Sequence, residues 1–214
     1  MKKRLSIFAA SMLFSVVALA QNPVTADSPF QVRYASNLAI GDSVVNITNT
    51  GARGGVNFQS GTSASIGGAI CANVYTFSPD EQLISCCSCP VTPNGLVSLS
   101  ARNDLISNTL TPGVPTSIVI KLLATVPVGG SCVNSAASAA TATLAAGMAA
   151  WGTTIHATPV AGTYAVTETA FTPSSLSASE LSRISNLCAF IVANGSGFGI
   201  CRSCRLGGLG AEFQ

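Results

Sequence analysis

Eight cysteines restrict the folds open to this chain more than any other feature. Four of them lie within residues 70–99, where stretches of strand-forming residues are separated by two proline-containing turns. That pattern predicts three consecutive strands carrying cysteines at their centre. The full set is Cys71; Cys86, Cys87 and Cys89, named here the hairpin cluster; Cys132; Cys188; and Cys201 and Cys204, named here the tail cysteines.

The first 20 residues have the pattern of a signal peptide. Lys2, Lys3 and Arg4 precede an apolar run that ends in Ala18-Leu19-Ala20, a small-x-small cleavage pattern. The alternative is a membrane anchor, but the run is short for a span and serines interrupt it. We therefore predict removal of residues 1–20, an extended leader over 21–29, and no membrane span afterwards. The predicted location is secreted, periplasmic or at the cell surface.

Charge is sparse, at 8% of residues against about a quarter in typical proteins. Three basic residues lie in the predicted signal peptide, so the remaining chain has slightly more acidic than basic residues. This balance gives no electrostatic basis for binding nucleic acid. Weak repulsion between copies favours self-association, and an extracellular protein or polysaccharide is the other expected partner.

An even number of cysteines in an exported chain is typical of a disulfide framework. A four-thiolate zinc site from Cys86-x-x-Cys89 and Cys201-x-x-Cys204 is the main alternative. The two pairs are separated by far more than the roughly 15–20 residues of a compact zinc ribbon. A redox-active Cys201/Cys204 pair is the third reading, but it lacks the βαβ context of such motifs. We predict disulfides and no metal or cofactor.

The pairing of the cysteines is partly restricted by strand geometry. Adjacent Cys86 and Cys87 point to opposite faces of a strand, so they do not bridge each other. A turn centred on residues 79–80 places Asn73 opposite Cys86 and brings Cys71 near the hairpin cluster. We predict that Cys71 pairs with one member of that cluster and that the tail cysteines pair with the other two. Cys132 and Cys188 then remain as the fourth pair.

Short strands separated by proline and glycine turns predict a mainly β, sandwich-like or barrel-like domain over residues 30–214. One helix is expected at about 177–194, where Ser177 and Glu180 form a capping box before apolar residues at helical spacing. A glycine-rich tail follows the helix. The pattern leaves helix and strand both open for 134–150. The predicted strands are 30–35, 43–48, 74–77, 82–85, 96–100, 117–124, 151–158 and 164–171.

Three segments carry a resemblance. They read NVYTFSPDEQLISCCSCPVTPNGL at 73–96, MAAWGTTIHAT at 148–158 and LSASELSRISNLCAFIVANGSGFGICRSC at 176–204. Together they resemble a group of uncharacterised exported, cysteine-containing proteins of soil bacteria. The resemblance implies export and one contiguous module, and it implies no activity.

Few residues suit catalysis. His156 is the single histidine, so a Ser-His-Asp hydrolase would need it as the base, and no G-x-S-x-G segment exists. Asp80 and Glu81 are adjacent carboxylates in a turn, whereas a glycosidase pair faces across a cleft of about 5–10 Å. These three are weak catalytic candidates.

Aromatic residues provide the remaining candidate surface. Trp151, Tyr164 and Tyr75 would form a carbohydrate-stacking surface if exposed, although core packing is the favoured interpretation of each. The sequence therefore favours an extracellular structural, adhesive or recognition module without catalytic activity. The alternative is a secreted hydrolase that uses His156 or an acid pair.

Overall fold

Two five-stranded antiparallel sheets form the framework of the protein. The computed structural model describes residues 28–55, 67–132, 135–202 and 204–206. Sheet A has the strand order β4-β3-β6-β1-β9, and sheet B has the order β10-β5-β2-β7-β8. The strands are β1 (Phe30–Ala35), β2 (Val44–Asn49), β3 (Ile70–Phe77), β4 (Leu83–Val91), β5 (Leu96–Ser100), β6 (Ile118–Thr125), β7 (Met148–Ala157), β8 (Tyr164–Ala170), β9 (Thr172–Pro173) and β10 (Arg205–Leu206).

Apolar side chains fill two layers, one on each face of sheet A. The larger cluster joins sheet A to sheet B and includes Val45, Ile47, Val74, Leu99 and Ile120. In sheet B the strand β2 alternates buried and half-buried residues, whereas β3 in sheet A is buried throughout because both faces of its sheet are covered. The two sheets facing each other across the larger cluster give the sandwich-like packing. The mainly β fold with one late helix, predicted from the sequence, is confirmed.

The second layer lies between sheet A and the helix α1 (Ala178–Ala193). The Glu180 N–H donates to Ser177 Oγ at 3.1 Å, which is the serine half of a capping box, while the Glu180 carboxylate binds Lys121 and Arg183. Ile184, Cys188 and Ile191 are the apolar helix residues buried in this layer, and Ser185 is buried beside them. Gly195 follows with a φ of 62°, the left-handed conformation that commonly ends a helix. The predicted helix is confirmed to within a residue at each end.

The segment 134–150, left open between helix and strand, contains both. A 3₁₀ helix covers Ser135–Thr141, and β7 begins at Met148. Ala136 and Ala139 are buried in the layer that contains α1, where small side chains allow close approach. The Tyr75 hydroxyl donates to the Ala136 carbonyl at 2.7 Å, which ties this segment to β3.

Predictions for the ends of the chain fall largely outside the described residues. The signal peptide over 1–20 and most of the leader over 21–29 lie there, as does the tail after residue 206. Within the described part, no helix has the length and apolar character needed to cross a membrane.

Candidate functional site

The β3–β4 hairpin decides where the cysteines meet. Tyr75 lies opposite Cys86, and Cys71 lies opposite Pro90. The predicted register, with Asn73 opposite Cys86, is therefore wrong by two residues. A bulge between Thr76 and Phe77 and the left-handed conformation of Glu81, with a φ of 68°, account for the shift.

Four disulfides connect all eight cysteines. The predicted pairing of the two tail cysteines with the hairpin cluster is confirmed, and the predicted bridge of Cys71 to that cluster is wrong. The predicted Cys132–Cys188 bridge is also wrong. The observed bridges are Cys71–Cys132, Cys86–Cys188, Cys87–Cys201 and Cys89–Cys204.

The faces of sheet A explain this pairing. Cys71 lies on the opposite face from Cys87 and Cys89, because Ala72 and Val74 are the residues that pair with those two. Cys86 shares the face of Cys71 but lies opposite Tyr75, four residues along β3. Cys71 is therefore out of reach of the whole hairpin cluster. Its bridge to Cys132 crosses to the loop before the 3₁₀ helix instead.

The C-terminal segment also pairs with the β4 edge through its backbone. The Cys86 N–H donates to the Gly199 carbonyl at 2.8 Å, and the Cys201 N–H donates to the Cys86 carbonyl at 3.3 Å. These bonds and two disulfides hold the segment along β4. The Gly195–Gly199 run is consequently a structural connection that leaves the helix and enters this edge.

The zinc alternative requires Cys86, Cys89, Cys201 and Cys204, but the sulfurs that lie together are a different set that includes Cys87. The Sγ atoms of Cys87, Cys89 and Cys204 lie within 4.8 Å of one another. Such spacing suits a metal site only when the cysteines are reduced, because the thiolate is the metal ligand. In this structure each of the three sulfurs belongs to a disulfide.

His156 lies on β7 and its ring faces β8. Its Nε2 atom is 2.9 Å from Thr167 Oγ1, and the ring is half-buried. Among the described residues, no serine hydroxyl or carboxylate lies within hydrogen-bond distance of His156. The structure therefore does not place the parts of a catalytic triad around this histidine.

Asp80 and Glu81 are both exposed in the β3–β4 turn. The Gln82 amide donates to Asp80 Oδ2 at 3.0 Å, and the Ser78 hydroxyl donates to Asp80 Oδ1. These contacts organise the turn itself. Glu81 also lines a shallow groove of about 390 Å³ that includes Glu180. The acid that shares a groove with Glu81 is thus Glu180, which the sequence analysis did not select.

Glu180 is held by two cations. Lys121 Nζ lies 2.6 Å from Glu180 Oε1, and Arg183 Nε lies 2.8 Å from Oε2. The Arg183 hydrogen bond, with Lys121, lowers the pKa of Glu180 to about 2. Both cations also stack on Phe77, with Lys121 Nζ 4.8 Å from the ring centroid. A carboxylate this stabilised does not supply a proton near neutral pH, so this cluster joins α1 to sheet A rather than forming an acid pair.

Arg33 is a buried cation between the two sheets. Its guanidinium donates to Thr154 Oγ1 at 2.7 Å, Ser43 Oγ at 3.2 Å and Thr169 Oγ1 at 3.3 Å. Burial lowers its pKa. Gly152 makes room for it, because a Cβ atom there would lie 2.6 Å from the guanidinium. The sequence contained no pattern that distinguished this arginine.

The aromatic candidates separate into one buried and two exposed residues. Tyr75 is fully buried, and burial raises its pKa, so core packing is confirmed for this residue. Trp151 and Tyr164 are 39% and 53% exposed on sheet B, so core packing was the wrong interpretation for both. Trp151 also lines an open groove of about 430 Å³ with Gln31, Met148 and Phe171.

Strand β8 is the longest fully exposed strand in the described part of the chain. All seven of its residues are exposed, and sheet B ends with it on this side. Its outer face carries Tyr164, Val166 and Glu168, of which only Glu168 is charged. Such a strand offers backbone hydrogen-bonding groups and apolar side chains to a partner. We name this strand and its open side the β8 edge.

The fold and its bridges define a disulfide-stapled, sandwich-like β protein in which β8 is the long exposed edge strand of the described residues. Comparison with family models, curated proteins and solved structures gave no match to this chain.

Proposed function

We propose that this chain is an exported structural, adhesive or recognition module that acts through its surface without catalysing a reaction. The β8 edge carries the proposal, because all seven residues of the strand are exposed. Edge strands of this kind bind other chains by extending the sheet. The proposal includes membership of the group of exported soil-bacterial proteins that the sequence resembles.

Four further observations support it. Four disulfides suit an oxidising compartment such as the periplasm or the cell exterior. The low charge of the chain leaves little repulsion against neighbours. The catalytic candidates are separated, since His156 contacts Thr167 while Asp80 and Glu81 lie in the β3–β4 turn. Exposed Trp151 and Tyr164 supply flat rings that suit sugar or protein partners.

The experiment begins with the chain expressed with its own N-terminal segment in an exporting host. We expect the purified protein to begin at Gln21, with an intact mass about 8 Da below that of the reduced form, two hydrogens for each bridge. Size-exclusion chromatography with light scattering, electron microscopy, and pull-down on insoluble polysaccharides then test self-association and recognition.

A hydrolase assay tests the alternative function, a secreted hydrolase that uses His156. The same preparation is incubated with chromogenic esters, peptides and glycosides, beside a His156→Ala variant with an unchanged circular dichroism spectrum. Turnover that disappears in the variant would overturn the proposal. Retention of the first 20 residues on membrane-extracted protein would overturn the export component alone.

A further inference from the structure

The four sheet edges formed by the described strands are protected unequally. The β4 edge carries Pro90 and is paired with the C-terminal segment at Cys86. The other two protected edges, β9 and β10, have two residues each, and β9 contains Pro173. β8 has seven residues, no proline and an uninterrupted register with β7. It therefore lacks the proline, bulge and short length that natural proteins use to prevent edge pairing.

The open side of β8 has a defined set of backbone groups. The Phe171 N–H donates to the Ala150 carbonyl of β7 at 2.8 Å. Backbone groups of an antiparallel strand alternate between its two neighbours, so Ala165, Thr167 and Thr169 also face β7. The N–H and C=O groups of the intervening residues point in the plane of the sheet, toward the open side opposite β7. These are Tyr164, Val166, Glu168 and Ala170.

We propose that β8 pairs antiparallel with β8 of a second copy of this chain, about a twofold axis at Thr167. This inference rests on the proposed function and names its partner. In this register Tyr164 lies opposite Ala170 of the second copy, and Val166 lies opposite its Glu168. The four outward-facing residues of each copy form hydrogen-bonded pairs, which gives about eight N–H···O bonds across the interface. The two B sheets become one continuous sheet.

Charge and length select this register. A twofold axis at Glu168 places two carboxylates directly opposite each other, which is destabilising. An axis at Val166 leaves Ala170 without a strand residue opposite it. The axis at Thr167 pairs all seven residues and places the single charge of β8 against an apolar side chain.

Side-chain sizes on the outer face fit the same arrangement. Trp151 lies beside Ala170 on the neighbouring strand. The small Ala170 leaves room for Tyr164 of the second copy, which extends over it toward Trp151. Trp151 is the sole tryptophan of the chain, so its fluorescence reports directly on this contact.

The first test replaces Val166 with proline. The Val166 N–H faces the open side, so Val166→Pro removes a donor from the interface while β8 keeps its bonds to β7. The matched control is Val166→Thr, which keeps the N–H and the β-branched shape. Analytical ultracentrifugation of the mature protein over a concentration series measures the dimer. We expect Val166→Pro to weaken dimerisation by about tenfold or more, and Val166→Thr to change it less than about threefold.

The second test does not depend on how well proline is tolerated. Thr167→Cys places two cysteines opposite each other at the axis, in a pair that does not exchange hydrogen bonds and whose Cα atoms are about 4.5 Å apart. Ala165→Cys is the matched control, since it lies on the same face but opposite Thr169 of the second copy. Under mild oxidation we expect covalent dimers from Thr167→Cys and few from Ala165→Cys. Trp151 fluorescence should change with concentration in the wild type and not in Val166→Pro.

Several results would overturn this inference. They are a monomer at every concentration, dimers unaffected by Val166→Pro, or equal cross-linking of the two cysteine variants. A dimer lost on deletion of residues 21–27 or 207–214 and unaffected by Val166→Pro would assign the dimer contact to a terminal segment instead of β8. A monomer without turnover contradicts the inference alone, whereas turnover that requires His156 contradicts the proposed function.

Discussion

The free energy of unfolding that each disulfide contributes should depend on whether a neighbouring bridge already shortens the loop that it closes. Two of the four bridges allow this effect to be measured. Cys71–Cys132 joins residues 61 apart, and Cys89–Cys204 joins residues 115 apart. If each bridge acted independently, the chain-entropy relation would give about 4 kcal/mol for the first and nearly 5 kcal/mol for the second. The longer loop would then contribute more.

The structure reverses this order. Cys87–Cys201 lies next to Cys89–Cys204, two residues away on β4 and three residues away in the C-terminal segment. While it remains closed, Cys89–Cys204 closes a ring of only about five residues, worth about 2 kcal/mol. No other bridge offers a shorter path between Cys71 and Cys132, so that bridge keeps its value of about 4 kcal/mol.

The test uses two double variants, Cys71→Ala/Cys132→Ala and Cys89→Ala/Cys204→Ala. Guanidinium unfolding followed by circular dichroism gives the free energy of unfolding of each, and peptide mapping verifies the three remaining bridges. We expect the first variant to lose about 2 kcal/mol more than the second. An equal loss, or a greater loss on removing Cys89–Cys204, would refute the argument that a neighbouring bridge shortens the loop.

Three other variants test the surrounding contacts. Glu180→Gln should cost about 1 kcal/mol at neutral pH, because this ion pair is partly exposed. The native pKa of Glu180 is lowered to about 2, so the difference from wild type should be full above pH 4.5 and disappear as the pH falls toward 2 in urea titrations. His156→Ala should retain the wild-type circular dichroism spectrum and melting temperature within a few degrees, and loss of folding would contradict its surface role. Gly152→Ala should lower the free energy of unfolding by about 1–3 kcal/mol, because the added Cβ displaces Arg33. The control Gly113→Ala should be nearly neutral, because a Cβ there meets nothing within 4 Å. Equal losses in the two variants would contradict the packing argument.

Local patterns in the sequence were sufficient for the long helix and for the approximate positions of eight strands, whereas 134–150 stayed open and β9 and β10 were not predicted. The capping box at Ser177 and Glu180 depends on residues three positions apart, and the helix begins where they lie. The strands followed from alternation and from turns at proline and glycine, which also involve near neighbours. The tail cysteines were assigned to the hairpin cluster because two of its members needed distant partners and a glycine-rich tail is flexible enough to reach them.

The partner of Cys71 required the tertiary structure. A bulge at Thr76 and a left-handed Glu81 move the β3–β4 register by two residues, and no local pattern specified that bulge. The exposure of Trp151 depended similarly on which face of the interior strand β7 another layer covers. Alternation identifies the two faces of a strand but not which face another layer covers.

The same distinction applies to the proposed interaction site. The segment 164–170 was predicted as a strand from its composition, and any interior position in a sheet would have suited it equally well. Only the strand order of sheet B places β8 at the edge and leaves its outer backbone groups facing away from the sheet. Strand order arises from long-range pairing across loops, so the sequence determined the strands and the fold determined which of them a partner can reach.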